Sequence, residues 1–228
     1  MLGDRDEDGQ RLPMLVWRPP RPVLAIASSP LGGGIGQRGW IINATVPSAY
    51  SRLDPAAHLA ELARGLDLHG PGVGLLTAVD VREAVTAADG GVEVTATVGL
   101  GHPTWAAAPD GHLRHHVPGA GTINIVAWLP APLTASALVN AVSTATEAKV
   151  QALIDCGVGA TGTATDAICL ACPPPAGFDA TSGGGFEDGE AYGGPRSIWG
   201  ARLARAVHAT VVAGVRRWNR PPEADARV

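Results

Sequence analysis

Apolar residues in the first half of the chain come in short runs bounded by proline or glycine. MLVWR (14–18), VLAIASS (23–29) and RGWIINATV (38–46) are separated by a Pro-rich turn and by LGGGIG. Short apolar runs between turn formers read as strands. Asp54-Pro55 then marks a helix start, with Asp54 as N-cap and Pro55 at the first helical position. His58, Leu59, Leu62 and Leu66 follow at helical spacing as far as Gly70-Pro71. VGLLTAVDV (73–81) and VEVTATVGLG (92–101) read as a strand pair, linked by REAVTAADGG with its hairpin-type Asp-Gly-Gly. AAAPDGHLRHHVP (106–118) reads as a loop, and GTINIVAWLP (121–130) as a further strand.

The clearest helical period spans 134–156. Thr134 is placed to cap it. Leu138, Val142, Thr146, Val150 and Leu153 form an apolar-leaning stripe, and Ser136, Asn140, Ser143, Glu147 and Gln151 a polar one. GATGTATD (159–166) leads into the strand AICLAC. Residues 173–194, rich in glycine and proline, are predicted to be a mobile loop. A last helix over 197–217, capped by Ser197, carries Trp199, Leu203, Val207, Val211 and Val215 on its buried side. Residues 1–12 read as a charged tail and 219–228 as a second tail, which leaves one domain over 13–218. The strands are not regularly separated by helices. The pattern therefore predicts an α+β fold with a mixed, largely antiparallel sheet covered by helices.

Composition supports a globular chain, since 46% of its 228 residues are hydrophobic and only 17% charged. A net charge of −4 argues against a nucleic-acid or membrane-surface partner. No apolar run is long enough to span a bilayer. The charged start lacks an apolar signal region, which points to the cytoplasm. Three cysteines, Cys156, Cys169 and Cys172, make no disulfide framework. Cys169 and Cys172 stand three apart on a strand, so they point to opposite faces and read as buried small hydrophobes. Lys149 is the single lysine beside 16 arginines. A lone lysine in an arginine-rich chain suggests a place that needs a compact ammonium.

Several groupings could carry chemistry. LGGGIG lacks the ending of a P-loop and reads as a turn, either plain or at a ligand pocket. HLRHH (112–116) has no evident carboxylate partner and reads as a solvated loop. His58 and Glu61 share a helix face, so Glu61 could orient His58 as a base, against the plainer reading of a surface histidine. Asn43 and Asn124 lie inside strands, where asparagine is disfavoured, and Thr122 shares the Asn124 face. A buried amide must bond to backbone or to a ligand. Glu147 and Lys149 are two apart on the helix and cannot face each other. Lys149 borders the apolar stripe, and an ion pair with Asp166 would suit it. Thr161, Gly162, Thr163, Thr165 and Asp166 fill the loop before AICLAC, which is either a strand-entry turn or a substrate loop.

Seven stretches carry a resemblance: NATVPSAYSRLDPAAHLAELA, GPGVGLLTAVDV, ATVGLGHPTWA, GTINIV, ALVNAVSTATEAKVQAL, ATGTATDAICLACP and GGPRSIWGARLARAVHA. In order and spacing, with GTINI, a TEAK helix, a threonine-rich loop ending in Asp166 and a helix opened by GGPRS, the chain resembles the adenosylcobinamide amidohydrolases. The resemblance covers most of 40–213. It implies hydrolysis of the aminopropanol amide of adenosylcobinamide to adenosylcobyric acid, a step of corrinoid salvage. A non-catalytic corrinoid-binding protein on the same fold is the other reading. The substrate is a small-molecule corrinoid that carries its own cobalt, so no cofactor is expected, and a homo-oligomer is left open. A flat, amide-rimmed corrinoid needs apolar area, which Trp40, Trp105 and Trp128 could supply. Its rim amides could meet Asn43, Thr122, Asn124 and the loop residues Thr161, Gly162, Thr163 and Thr165. No G-x-S-x-G elbow, catalytic-type cysteine site or H-E-x-x-H motif is present, so metal-free hydrolysis is expected. Asp166 or Glu147 would activate water, Lys149 or an asparagine amide would stabilise the oxyanion, and His58 would be the reserve acid or base. A threonine of 161–165 acting as nucleophile is the rival.

Overall fold

The computed structural model describes residues 1–7, 9–110, 121–178 and 188–220. Among them are ten strands in two sheets and three α-helices. The first sheet has the order β1 (Leu2–Glu7), β2 (Gln10–Trp17), β5 (Ile41–Thr45), β6 (Val73–Thr77). The second has the order β4 (Gly34–Arg38), β3 (Val23–Ala27), β10 (Ala167–Cys172), β9 (Ile123–Trp128), β8 (Val92–Val98), β7 (Val85–Asp89). Two neighbouring pairs are parallel, β5–β6 and β9–β10. Each is bridged by a helix, α1 (Pro55–Gly65) for the first and α2 (Ala135–Asp155) for the second. A parallel pair needs such a crossover, whereas the antiparallel pairs do not. The fold is α+β, and the expected mixed sheet is two mixed sheets.

Alternation along the strands builds the layers. Ala25 and Ala27 of β3, Ile41 of β5, Val73 and Leu75 of β6, Val126 of β9 and Ala167, Cys169 and Ala171 of β10 make one apolar cluster between the two sheets. Their neighbours Ile123, Ile125, Ile168, Leu170 and Cys172 point the other way, onto α2 and α3 (Ile198–Trp218). Met14, Val16, Ile42 and Ala44 form the outer face of the first sheet, packed with Ala63 of α1. The order is helix, sheet, sheet, helices. Cys169 and Cys172 fall in different layers, as their spacing required.

Helix α2 buries a face of small residues, Ala137, Ala141, Ala145, Ala148 and Ala152, flanked by Leu138 and Leu153. Thr146 of the expected stripe is exposed, and Lys149 is buried in its place. Thr134 and Ser197 cap α2 and α3 as expected, accepting from Ala137 N at 3.1 Å and Gly200 N at 3.1 Å. Asp54 makes no side-chain cap bond to α1 and binds Arg52 instead.

Three expectations are corrected. Residues 1–12 are not a tail, because β1 and the start of β2 form a hairpin there, with Leu2 opposite Leu15 and Glu7 opposite Gln10. The stretches 73–81 and 92–101 do not pair, since β6 and β8 lie in different sheets; the link between them contains β7, and the Gly90-Gly91 turn joins β7 to β8. Residues 179–187 of the loop expected to be mobile lie outside the described residues, but 188–194 are docked on α2. Glu190 N donates to Pro132 O at 2.8 Å, and Thr144 Oγ1 donates to Gly193 O at 2.9 Å. Of the expected tail at 219–228, Asn219 caps the end of α3, with its N on Val215 O at 3.0 Å, and 221–228 lie outside the described residues.

The GGPRS start of α3 is explained by close approach. A Cβ at Gly200 would stand 2.0 Å from Gly194 O, and one at Gly193 would stand 2.2 Å from Ala137 O. Helix propensity alone predicts that Gly200→Ala stabilises by about 1 kcal/mol. The backbone contact predicts the reverse, a loss of roughly 1–3 kcal/mol from overpacking. Thermal unfolding of Gly200→Ala is expected to show a lowered Tm, and a raised one would refute the packing account.

Candidate active site

One end of the sandwich, where β3, β5 and β6 finish and β9 and β10 begin, opens into a cleft of about 380 Å³ between the sheets. The second sheet contributes Thr122, Asn124 and Thr165, and the loop between β5 and α1 contributes Tyr50 and Arg52. Alternation explains who faces it. Thr122, Asn124 and Val126 lie on the inner face of β9, and Thr165 and Ala167 continue the inner face of β10.

The asparagines that sequence places in strands meet across the sheets. Asn124 Nδ2 donates to Asn43 Oδ1 at 2.9 Å and to Leu76 O at 2.9 Å, and Asn43 Nδ2 donates to Thr97 Oγ1 at 3.2 Å. Both amides are therefore oriented by their partners. Asn124 is only 1% exposed, and its Oδ1 accepts no hydrogen bond from the described residues. A buried acceptor left unmet costs roughly 1–3 kcal/mol. Beside it the Thr122 and Thr165 hydroxyls are 2.6 Å apart.

Asp166 turns to the opposite face of the second sheet, toward α2. Its Oδ2 meets Lys149 Nζ at 2.5 Å and Thr163 N at 3.1 Å, and its Oδ1 accepts from Ile123 N at 3.0 Å and Thr163 Oγ1 at 2.6 Å. The side chains of Lys149 and Asp166 are 8% and 11% exposed. All the strong acceptor directions of the carboxylate are used, so it ties helix, loop and strand together and has none to spare for a water. Gly162 lies against the pair: a Cβ there would stand 2.2 Å from Asp166 Oδ2 and 2.6 Å from Lys149 Nζ. The outer part of the loop pairs with residues 104–106, through Thr104 N on Gly162 O at 2.8 Å and Ala106 N on Thr161 Oγ1 at 2.8 Å. The loop is thus both a strand entry and one wall of the cleft.

His58 is buried, but Glu61 does not orient it. Glu61 binds Arg52, at 2.9 Å. His58 Nε2 instead meets Glu7 Oε1 at 3.1 Å, and its Nδ1 lies 3.0 Å from the Tyr50 hydroxyl. Burial pushes the Tyr50 phenol up from its ordinary range, against the pull of Arg52. Hydrogen bonds from Arg52 hold Asp54 and Glu61 below the usual carboxylate range and raise Arg52 itself. Glu7 was hidden by reading 1–12 as a tail. Tyr50 is one of two tyrosines in the chain, inside the stretch NATVPSAYSRLD, and that scarcity was the signal available.

Other expected site residues scatter. Glu147 is exposed on the far face of α2, away from Asp166. Trp105 is half-exposed beside the loop at Gly159. Trp40 is buried under α1, and Trp128 lines a separate apolar cleft at the opposite end of the sheets with Trp17. The three tryptophans therefore form no single platform. Burial pushes the Cys169 thiol up to about 12 and the Cys172 thiol up to about 11, as suits inert core residues. LGGGIG leads into the edge strand β4, with no helix after it. HLRHH lies outside the described residues. No three His, Cys, Asp or Glu side chains gather as metal ligands among the described residues, and no helix there is long and apolar enough to cross a membrane.

Comparison with known proteins adds a second line. A family described as adenosylcobinamide amidohydrolase matches residues 2–223, a span that includes β1 and β2. The chain is 30% identical over 192 residues to the adenosylcobinamide amidohydrolase of Methanosarcina mazei, covering 82% of this chain and 88% of that one. It is 40% identical over 103 residues to the protein of the same name from Halobacterium salinarum, 44% of each chain. Among solved structures, a Pyrococcus horikoshii protein aligns with a TM-score of 0.45 at 14% identity, covering 91% of this chain and 77% of that one. The L-aminopeptidase D-Ala-esterase/amidase of Ochrobactrum anthropi aligns with a TM-score of 0.41 at 13% identity, covering 95% and 83%.

The clamp makes a stability prediction. Asp166→Asn leaves Lys149 as a buried charge without a counter-charge, which typically costs about 3–5 kcal/mol. Lys149→Met in the same chain removes that charge, and recovery of a large part of the loss is expected in denaturant unfolding. Equal stability of the single and double variants would show that the charge is not what the carboxylate is there to balance.

Proposed function

Because the chain belongs to the adenosylcobinamide amidohydrolase family, we propose that it hydrolyses the aminopropanol amide of adenosylcobinamide in the cleft between its sheets. The products are adenosylcobyric acid and 1-amino-2-propanol, which returns the corrinoid to cobalamin synthesis. The carrying observation is Asn124 Oδ1, a buried acceptor without a partner among the described residues, beside a cleft that fits the aminopropanol arm. An amide N–H is the donor it lacks, and an amide-rimmed corrinoid brings several.

A cleft of about 380 Å³ holds the aminopropanol arm and its amide rather than the whole ring. The ring then rests at the mouth, with Trp105 as the flat side chain beside the loop. Asn43 fixes the Asn124 amide, and the Asn124 Oδ1 takes the substrate N–H. Of the Thr122 and Thr165 hydroxyls, one proton lies between them and the other is free to donate to the oxyanion as the carbonyl becomes tetrahedral. Asp166 and Lys149 act through the loop, holding Thr163 and Thr165 in place, with Thr161 and Gly162 fixing its outer edge. Glu147 takes no part in this scheme. Water is the nucleophile and the only co-substrate, and the cobalt enters as part of the substrate.

The deciding assay incubates the protein with adenosylcobinamide and follows 1-amino-2-propanol and adenosylcobyric acid. Both are expected in equal amounts. A corrinoid spectral shift with no amine after long incubation would make the chain a binding protein. Denaturing mass spectrometry of a quenched turnover should show the unmodified chain; a corrinoid acyl adduct on Thr165 would identify that hydroxyl as the nucleophile.

A further inference from the structure

The proposed reaction needs two proton transfers, one from the attacking water and one to the leaving amine. Asp166 is committed to the loop, so another group must carry them. Three residues from three separate segments line up toward the cleft. Glu7 ends the edge strand β1, His58 sits in the first turns of α1, and Tyr50 lies in the loop that precedes α1 and lines the cleft. Glu7 is itself anchored by Arg5 Nε at 2.8 Å, and Arg5 also donates to Thr45 O at 2.7 Å. His58 is 2% exposed, bonded on both ring nitrogens and stacked on Tyr50 with centroids 5.5 Å apart.

The geometry points to Tyr50 as the acid–base residue of the hydrolysis, with His58 and Glu7 as the store for its proton; this rests on the cleft being where the amide is cleaved. The tautomer follows from the partners. The Glu7 carboxylate only accepts, so Nε2 carries the ring hydrogen and Nδ1 is the bare nitrogen. The Tyr50 O–H then donates to Nδ1, and its oxygen keeps lone pairs for a proton from the cleft.

In the forward step, water gives a proton to the Tyr50 oxygen while the Tyr50 proton passes to His58 Nδ1. The imidazolium is balanced by Glu7, and the water oxygen bonds to the amide carbon. The C–N bond then breaks as the amine nitrogen takes a proton from Tyr50, which recovers its own from His58. One water is consumed, and one acid and one amine are formed, with the relay restored. Burial keeps the phenol protonated between these steps, opposed by Arg52 and reinforced by the neighbouring carboxylates Asp54, Glu7 and Glu61.

A structural tyrosine would make the same contacts, so the test separates chemistry from packing. Tyr50→Phe keeps the ring and its stack on His58. It is expected to lower kcat by about 10²–10⁴-fold, the usual contribution of general acid–base catalysis. KM and the corrinoid spectral titration should stay within about threefold, the mark of an interaction made only in the transition state. Glu7→Gln keeps an acceptor for Nε2–H but not the charge, and should lower kcat at least about tenfold with KM little changed. The double variant Glu7→Gln, Tyr50→Phe should be no slower than Tyr50→Phe alone, because Glu7 acts through Tyr50. Tyr50→Phe turning over like wild type, or losses that multiply in the double variant, overturn the relay and leave the function standing. Wild-type protein that binds adenosylcobinamide and releases no amine overturns both.

Discussion

The ion pair of Lys149 and Asp166 is the contact on which the cleft depends. One carboxylate gathers an ammonium from α2, two donors from its own loop and the backbone N–H that opens β9. Those four bonds fix the distance between a helix, a loop and two neighbouring strands at one point. The pair is buried, so its attraction is little screened, but the charges also had to leave water. It therefore adds specificity of arrangement more than net stability: the loop has one conformation in which both charges are matched. Lysine suits the place because Gly162 leaves room for a compact ammonium and no more.

Strand alternation turns that clamp into a wall for the cleft. Asp166 and Thr165 are adjacent, so they leave the strand entry on opposite faces. The charged side chain goes to the helix layer, and the hydroxyl goes to the space between the sheets. Ile123 and Asn124 repeat the division one strand over, with Ile123 in the helix-side core and Asn124 at the cleft. Polar groups of the site thus sit where the inner apolar layer ends, and the small residues Ala167, Cys169 and Ala171 continue that layer behind them. The Asn43–Asn124 bond closes the seam between the sheets at the same level.

Periodicity made the helices and most strands legible, because each buries one side against a layer. The ion pair of Lys149 was legible too, from the rarity of lysine and the position of Asp166 after the helix. What the pattern could not supply was which strands share a sheet. Runs at 73–81 and 92–101 look like partners only because they are close in sequence; the pairing is decided by β7, a half-polar edge strand whose alternation Val85, Ala87, Asp89 is weak. The same weakness hid β1. Its sequence LGDRDE is charged because both faces of an edge strand are partly open, and charges on edges are also how sheets avoid pairing with other chains. The expected base partner of His58 was wrong for a related reason. Helical spacing put Glu61 in reach, but Arg52 claims it, and the partner comes from a segment 51 positions earlier that only folding brings near.

In the proposed relay, the place of Glu7 on an edge strand has a dynamic consequence. Strand β1 is paired on one side alone, and its burial alternates between exposed and half-buried. Such elements open locally at lower free energy than strands in the middle of a sheet. Opening there would separate Glu7 from His58 and leave the Lys149–Asp166 clamp, the Asn43–Asn124 bond and the cleft walls intact, since none of them involves β1. The proposed binding groups and the proposed proton relay are therefore anchored in regions of different local stability. The contacts that shape the cleft come from central strands and α2, whereas the group that balances an imidazolium comes from the rim. Beyond its own ladder, that rim is tied to the rest of the fold by Arg5 on Thr45 O in β5 and by Asp4, which pairs with Arg11 of β2 and with Arg82.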